Sequence, residues 1–424
     1  MAIDQHHRPG RTFDIAEAFA SGDPYATYAW FREHDPVSFG PERDWAPPTA
    51  SLFRHADVSR LLRDARLGKE WRRVFPPDAS VPPPPPPVDP DSFHAIAGNW
   101  MLFRDPPVHT HLRGLANLAF TPRQVETMRP KIERLAATLL ADLKREAAET
   151  GSADLIMTYA YPLPTLVIAQ ILGIPEADFG KFRRWAGDIA AAIDFQLEGL
   201  AELQARVDQT THELAEYLRW VFSLRIADPQ DDLISRLIAA DADGNRLDED
   251  EVIGTCILLL VAGHETTVNL IGNGTLAMMR HRDQWEALAA DPGLARNAVE
   301  ELLRYDSPVQ ITTRVAFEPI ELADGTVLPP ATEVLFVLGA ANRDPAAFPE
   351  PDRLDLRRRV DRVMSFGMGI HFCLGSPLAR LEGEIAFRTL ASGAPEMVWL
   401  GEAPVWRPGA ILHGLHDLPV AFPS

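Results

Sequence analysis

The sequence predicts a mainly α fold of the α+β class, and three observations carry the prediction. Apolar residues recur at three-to-four spacing through most of the chain after Pro122, the one cluster of β-branched, alternating text is short and late, and no repeat or charged tail interrupts the pattern. The spacing predicts helices over 123–149, 175–194, 199–226 and 232–240. A longer helix is expected from Asp248, whose side chain can cap it while Glu251 reaches back, to about Arg280. At ~1.5 Å per residue it would span roughly 50 Å and cross the molecule. Residues 257–262 in its middle are apolar all round, which places it inside the core. Strands are expected over 312–317, 320–322 and 332–337, with Asp324-Gly325 as a hairpin turn. Ser376 as cap and Pro377 at the first position open a last helix that runs to about Ala391.

The 424 residues carry 41 Lys+Arg against 60 Asp+Glu, a formal charge of −19, which argues against a nucleic-acid binder. With 46% hydrophobic and 24% charged residues the chain can bury a large core, and we expect a single domain over 1–424. Two cysteines, Cys256 and Cys373, exclude a disulfide framework and point to a reducing, cytoplasmic compartment; a monomer is expected. Residues 1–10 are polar and do not form a secretory signal, and no run approaches the ~20 apolar residues of a membrane span. Residues 76–90 read PPDASVPPPPPPVDP, which must be extended and cannot join a helix or a sheet. We read them as a stiff surface loop within the domain, ahead of a domain linker or a ligand for an aromatic groove.

The text that decides function is Phe366-Gly-Met-Gly369-Ile-His371-Phe-Cys373-Leu-Gly375. Gly367 and Gly369 would let the backbone approach a flat ligand, and Phe366 supplies an apolar wall. Cys373 precedes a helix N-terminus, whose partial positive charge and amide donors favour a thiolate, as ligation of haem iron requires. A buried free cysteine is the default for a lone thiol, but five constrained positions in a ten-residue window argue for a ligand. In the long helix, Ala262-Gly263-His264-Glu265-Thr266-Thr267 places a glycine beside an acid and hydroxyls. There a helix can open, admit water and relay protons, although an ordinary polar turn of a core helix reads the same way. A zinc-protease reading of His264-Glu265 fails because Val268 stands where the second His must be. Gly367 and Gly369 begin a GxG, but Phe372 takes the third glycine's place, so no nucleotide site is visible.

At every fixed position the cysteine text matches FxxGxHxCxG, the haem-binding signature of the cytochrome P-450 family, and the chain resembles its soluble bacterial branch over nearly its whole length. The resemblance implies the P-450 fold and a haem b (iron protoporphyrin IX) ligated by Cys373, with Phe366, His371 and Gly375 around it. AGHETT is similar to the family's distal acid–alcohol motif, which implies that Glu265 and Thr266 deliver protons while Ala262 and Gly263 lie against the cofactor. Peroxide-using members replace that pair, so oxygen activation with outside electrons is favoured. The segment from Asp105 to Arg113 resembles DPPxHxxLR, which implies that His109 and Arg113 hold haem propionates, joined by Arg314 and His371. Glu301 and Arg304 match ExxR, with Arg353 as their implied third member, in a structural role.

The implied activity inserts one atom of O2 into a hydrophobic small organic substrate, by hydroxylation or epoxidation. Electrons would come from a separate ferredoxin or flavodoxin with its NAD(P)H reductase, received on the arginine cluster Arg357, Arg358, Arg359, Arg362 and Arg380. A peroxide-driven haem peroxygenase and a non-catalytic haem sensor or carrier are the alternatives. Residues 258–263, 309–312 and 411–412 would line the pocket by analogy. The stiff run at 82–87, in the loop that usually covers the distal face, would restrict the substrate's way in. Cys256 matches no family ligand and is expected to be a core thiol.

Overall fold

The computed structural model describes residues 12–20, 22–41, 47–74, 92–117, 120–193, 200–239, 249–409 and 411–423. The proline run at 76–90 and the expected cap Asp248 lie outside them.

The helix Glu249–Arg280 runs 32 residues without a break, and Val252 through Val261 are all buried. Helices Pro162–Leu172, Phe179–Ile193, Leu200–Ala227, Ala295–Tyr305 and Ser376–Gly393 pack around it. Among the described residues it alone is long and apolar enough to cross a membrane, yet 78% of its most apolar window is buried by its neighbours. Its apolarity is that of a core element. Cys256 lies in this packed stretch, as expected, and burial pushes its thiol up to about 12.

The expected helix over 123–149 is two helices, Pro122–Thr127 and Arg129–Thr150, because Pro130 has no N–H to continue the ladder and fits only a first turn. Thr121 caps the first by accepting from the Gln124 N–H at 3.3 Å. The last helix begins at Ser376 with Gly375 in the cap position and no side-chain cap bond, so Ser376 is its first residue and not its cap.

A five-stranded sheet has the order Val37–Phe39, Thr49–Leu52, Glu333–Val337, Ile311–Ala316, Leu67–Gly68. It is antiparallel except where Thr49–Leu52 pairs in parallel with Glu333–Val337. The Asp324-Gly325 turn, with Gly325 at φ +85°, joins Ile320–Glu321 to Val327–Leu328 and not to the longer strand. Glu333–Val337 instead pairs with Ile311–Ala316, in register Thr313 opposite Leu335. A third sheet sets Pro419–Ala421 between Ala153–Asp154 and Val398–Trp399.

Segments far apart in the sequence meet at one polar junction. The Asp306 carboxylate accepts from the Tyr25 hydroxyl at 2.9 Å and lies 2.9 Å from His413 Nδ1, while His413 Nε2 is 3.3 Å from the Gly22 carbonyl. The Trp406 ring stacks on His413 at 3.9 Å.

Candidate functional site

The cysteine loop turns sharply before the last helix. The Cys373 N–H donates to the Phe366 carbonyl at 2.9 Å, and Gly367 (φ +64°) and Gly369 (φ +72°) adopt left-handed backbone. A Cβ on Gly369 would lie 2.4 Å from the Leu62 carbonyl oxygen, so this glycine is needed for the turn and for packing on the segment after helix His55–Leu61. Arg113 locks the loop from the other side, its Nη2 donating to the Phe372 carbonyl at 2.7 Å, and the Arg380 guanidinium lies 4.3 Å from the centre of the Phe366 ring. The Ser376 N–H donates to the Cys373 carbonyl at 3.4 Å, and burial raises the thiol pKa against the opposing effect of the Gly375 and Ser376 amides and the Arg113 and Arg380 charges.

Above the loop the structure gathers basic groups. His109 and Arg113 share helix Val108–Ala116, Arg314 lies on strand Ile311–Ala316, and the His109 and His371 rings are 4.5 Å apart. Burial lowers His371 to about 4 and Arg314 to about 10. Burial and the Arg113 charge lower His109 as well. Nε2 of His109 and of His371 are buried without a hydrogen-bond partner. Two residues with no role expected from sequence join them. Asp105 accepts the Lys69 and Glu70 N–H groups and stands 3.9 Å from His371 Nε2, a charge contact too long for a hydrogen bond. Lys69 is lowered to about 7 by burial and by Arg314. Asp105 stood in the DPP text, whereas nothing in the local sequence marks Lys69.

Cations and orphaned imidazoles around one carboxylate are what two carboxylate-bearing arms of a ligand would satisfy. Among the described residues no group of three His, Cys, Asp or Glu could hold a metal ion. One thiol below and carboxylate-seeking groups above thus fit an iron porphyrin and not an all-protein metal site.

The central helix changes character at 262. Ala262 is exposed and Gly263 and Thr266 are half-buried in the midst of buried neighbours, so these three mark the one open face of the stretch. The helix does not open there: the Thr266 hydroxyl donates to the Ala262 carbonyl at 3.1 Å, and Thr267 to Gly263 at 3.4 Å. The back-bonding expected from the sequence occurs without a break in the ladder. Glu265 is buried and pairs with Arg407, and its other oxygen is 3.4 Å from His264 Nε2. Burial alone would raise its pKa, but His264 and the Arg407 guanidinium outweigh burial and lower it. Of the expected pocket residues, Val309 and Leu412 pair through an isolated bridge and are half-buried with Ile411, while Leu258 and Leu259 are spent on the core.

Arg304 donates to both Glu301 oxygens, at 2.7 and 2.9 Å, and both side chains are fully buried. The third member is not Arg353, whose side chain is exposed and pairs with Glu350 at 3.3 Å. Arg358 takes that place, with Nε donating to Glu301 Oε1 at 3.2 Å, and Arg353 contributes only its carbonyl to Arg304 and Arg358. Arg358 therefore leaves the surface cluster, and Arg380 pairs with Glu300; Arg357, Arg359 and Arg362 are exposed.

The family model described as Cytochrome P450 matches residues 293–391, the stretch from before Glu301 to the end of the cysteine-loop helix. Over 416 residues the chain is 39% identical to Cytochrome P450 monooxygenase PikC of Streptomyces venezuelae, spanning 96% of this chain and 93% of that protein. It is 38% identical over 401 residues to 6-deoxyerythronolide B hydroxylase of Saccharopolyspora erythraea, spanning 94% and 96%. Among solved structures, the cytochrome P450 PksS of the Bacillus subtilis 168 bacillaene polyketide synthase aligns with a TM-score of 0.83 at 36% identity, over 95% of this chain and 97% of that one.

Proposed function

The chain belongs to the cytochrome P450 family and is a haem-dependent monooxygenase, and on that premise we propose how its residues divide the work. Cys373 is the iron ligand of haem b, His109, Arg113, Arg314 and His371 hold its propionates, and Phe366, Gly375, Ala262 and Gly263 wall it. The observation that carries this reading is the cysteine loop itself, where a single thiol precedes the N-terminus of helix Ser376–Gly393 and the loop is clamped by Arg113 at the Phe372 carbonyl. Bound there, haem supplies the redox chemistry by which two electrons and two protons reduce one oxygen atom of O2 to water while the other enters a substrate C–H or C=C bond.

The chain's own share is to orient and to move protons. The Thr266 hydroxyl donates to the Ala262 carbonyl, which leaves its lone pairs free to accept on the open face of the helix. Glu265, held ionised, takes protons from solvent and passes them toward Thr266. Val309, Ile411 and Leu412 present an apolar wall, which suits a hydrophobic organic substrate. Electrons come from a separate ferredoxin or flavodoxin with its NAD(P)H reductase, received beside the exposed Ile370 and Phe372 of the cysteine loop. The whole chain, 1–424, acts as one domain and as a monomer, in a cytoplasm that keeps Cys256 and Cys373 reduced.

The test is spectroscopic. The carbon monoxide adduct of the reduced wild type should show the red-shifted absorbance of thiolate ligation, and Cys373→Ala should lose it while Cys256→Ala keeps it. Retention of the band in Cys373→Ala would overturn the assignment.

A further inference from the structure

Glu265 sits next to Thr266, but successive helical residues are ~100° apart, so its carboxylate leaves the axis away from the face shared by Ala262, Gly263 and Thr266. On that other face it is met by a cation from a distant part of the chain. Arg407 Nη1 pairs with Glu265 Oε1, and Arg407 Nη2 donates to Asn269 Oδ1 at 2.5 Å, so the guanidinium clips two successive turns of the central helix. The Arg407 side chain is 33% exposed and Glu265 only 8%; the arginine stands between solvent and the buried acid. The charged or titratable groups facing the carboxylate are His264 from its own helix and Arg407, and Tyr161 packs edge-on against the His264 ring.

The segment that carries Arg407 is also the one that carries the apolar wall. Trp406 pairs with Leu415, and the Arg407 N–H donates to the Gly414 carbonyl at 2.9 Å, which folds the segment back on itself. One side is tied to the central helix by Asn273 Nδ2 donating to the His413 carbonyl at 2.9 Å, and a Cβ on Gly414 would overlap Asn269. The other side is tied to the approach of strand Ile311–Ala316, where the Gln310 N–H donates to the Ile411 carbonyl at 2.8 Å and Val309 pairs with Leu412. Ile411-Leu412 and Arg407 thus lie on one short segment tied to both neighbours, which gives the apolar wall a mechanical link to the guanidinium.

We propose that Arg407 is a positioning residue for proton delivery: it holds the Glu265 carboxylate in an ion pair turned from Thr266, and pocket occupancy at Ile411-Leu412 loosens that pair so that protons pass when substrate is present. The inference rests on the reading of Glu265 as the relay acid. In each relay step the carboxylate takes one proton from solvent and gives one up toward Thr266, so it ends as it began. Removing the guanidinium leaves burial of the carboxylate opposed by His264 alone.

The test uses the ferric holoenzyme at rest. Infrared difference titration would follow the carboxylic C=O band that is lost in Glu265→Gln. In Arg407→Gln its midpoint should rise by about one pH unit or more, with Arg407→Lys closer to wild type. Saturating the wild type with 4-phenylimidazole, which fills the space above the iron, should move the midpoint in the same direction. An unmoved midpoint in both Arg407 variants overturns the positioning role, and an unmoved midpoint with 4-phenylimidazole overturns the coupling to the pocket. Product formed per O2 consumed separates this inference from the one beneath it. If Glu265→Gln leaves that ratio intact, it is the relay reading that falls.

Discussion

Arg358 shows what a single side chain can settle. Glu301 and Arg304 are fully buried, and a buried pair is tolerated only when its remaining donors and lone pairs are used. The Asn342, Pro351 and Arg353 carbonyls take the donors of Arg304, and Arg358 takes a Glu301 lone pair while donating to the carbonyls of Glu350 and Arg353. Arg358→Ala should therefore lower unfolding stability by roughly 2–3 kcal/mol, whereas Arg353→Ala, at an exposed surface pair, should stay within about 0.5 kcal/mol. Urea denaturation of the two variants side by side checks this, and equal losses would restore Arg353 to the triad. The ExxR spacing made Glu301 and Arg304 legible because helical geometry fixes which residues share a face. The choice among Arg353, Arg357, Arg358 and Arg359 was not, since they lie in irregular backbone with no period to say which one turns inward.

Between the central helix and the helix after Cys373 sits a carboxyl group no motif announced. Glu382 is 1% exposed, one of its oxygens has no partner, and burial, opposed by a hydrogen bond with Thr267, raises it to about 8 from an ordinary 4.5. Between those two values the folded state holds a proton that the unfolded chain has released, so stability falls as pH rises through that window; below it the group contributes no slope. Glu382→Gln should remove this dependence, widening its advantage over wild type from pH 5 to pH 8 by on the order of a few kcal/mol. Melting temperatures that shift in parallel across that range would contradict it. Elements were legible where they are long. Residues 199–226 were expected and Leu200–Ala227 is found, because many turns repeat one apolar stripe. Strands Val37–Phe39, Thr49–Leu52 and Leu67–Gly68 were missed because two to four residues are too few to show alternation.

Across the whole molecule a net charge of −19 would repel an acidic electron donor, so docking needs a local reversal of sign. Arg359 and Arg362 are exposed, Arg359 in a surface pair with Asp361 at 3.0 Å, whereas Arg358 and Arg380 are drawn inward by Glu301 and Glu300. Arg359→Glu with Arg362→Glu should slow reduction by an acidic ferredoxin several-fold at low salt, the difference closing as ionic strength rises. Stopped-flow reduction across a salt series checks it, and a rate unchanged at low salt would remove the docking role from this face. Composition gave the sign of the molecule and the motif gave its centre. Which arginines are free for a partner depends on packing between elements, which neither records.

The junction of Gly22, Tyr25, Asp306 and His413 has a consequence for how the protein is made. His413 lies 391 positions from Gly22, and strand Pro419–Ala421 pairs back to Ala153–Asp154. The helical middle can gather as it emerges during synthesis, and the amino-terminal segment can close on Ile311, Val337 and Ala340, but its polar junction waits for His413. A short deletion at the carboxyl end would thus be felt at the opposite terminus. An affinity tag placed there needs a spacer, or it will compete with strand Pro419–Ala421 for its place between Ala153–Asp154 and Val398–Trp399.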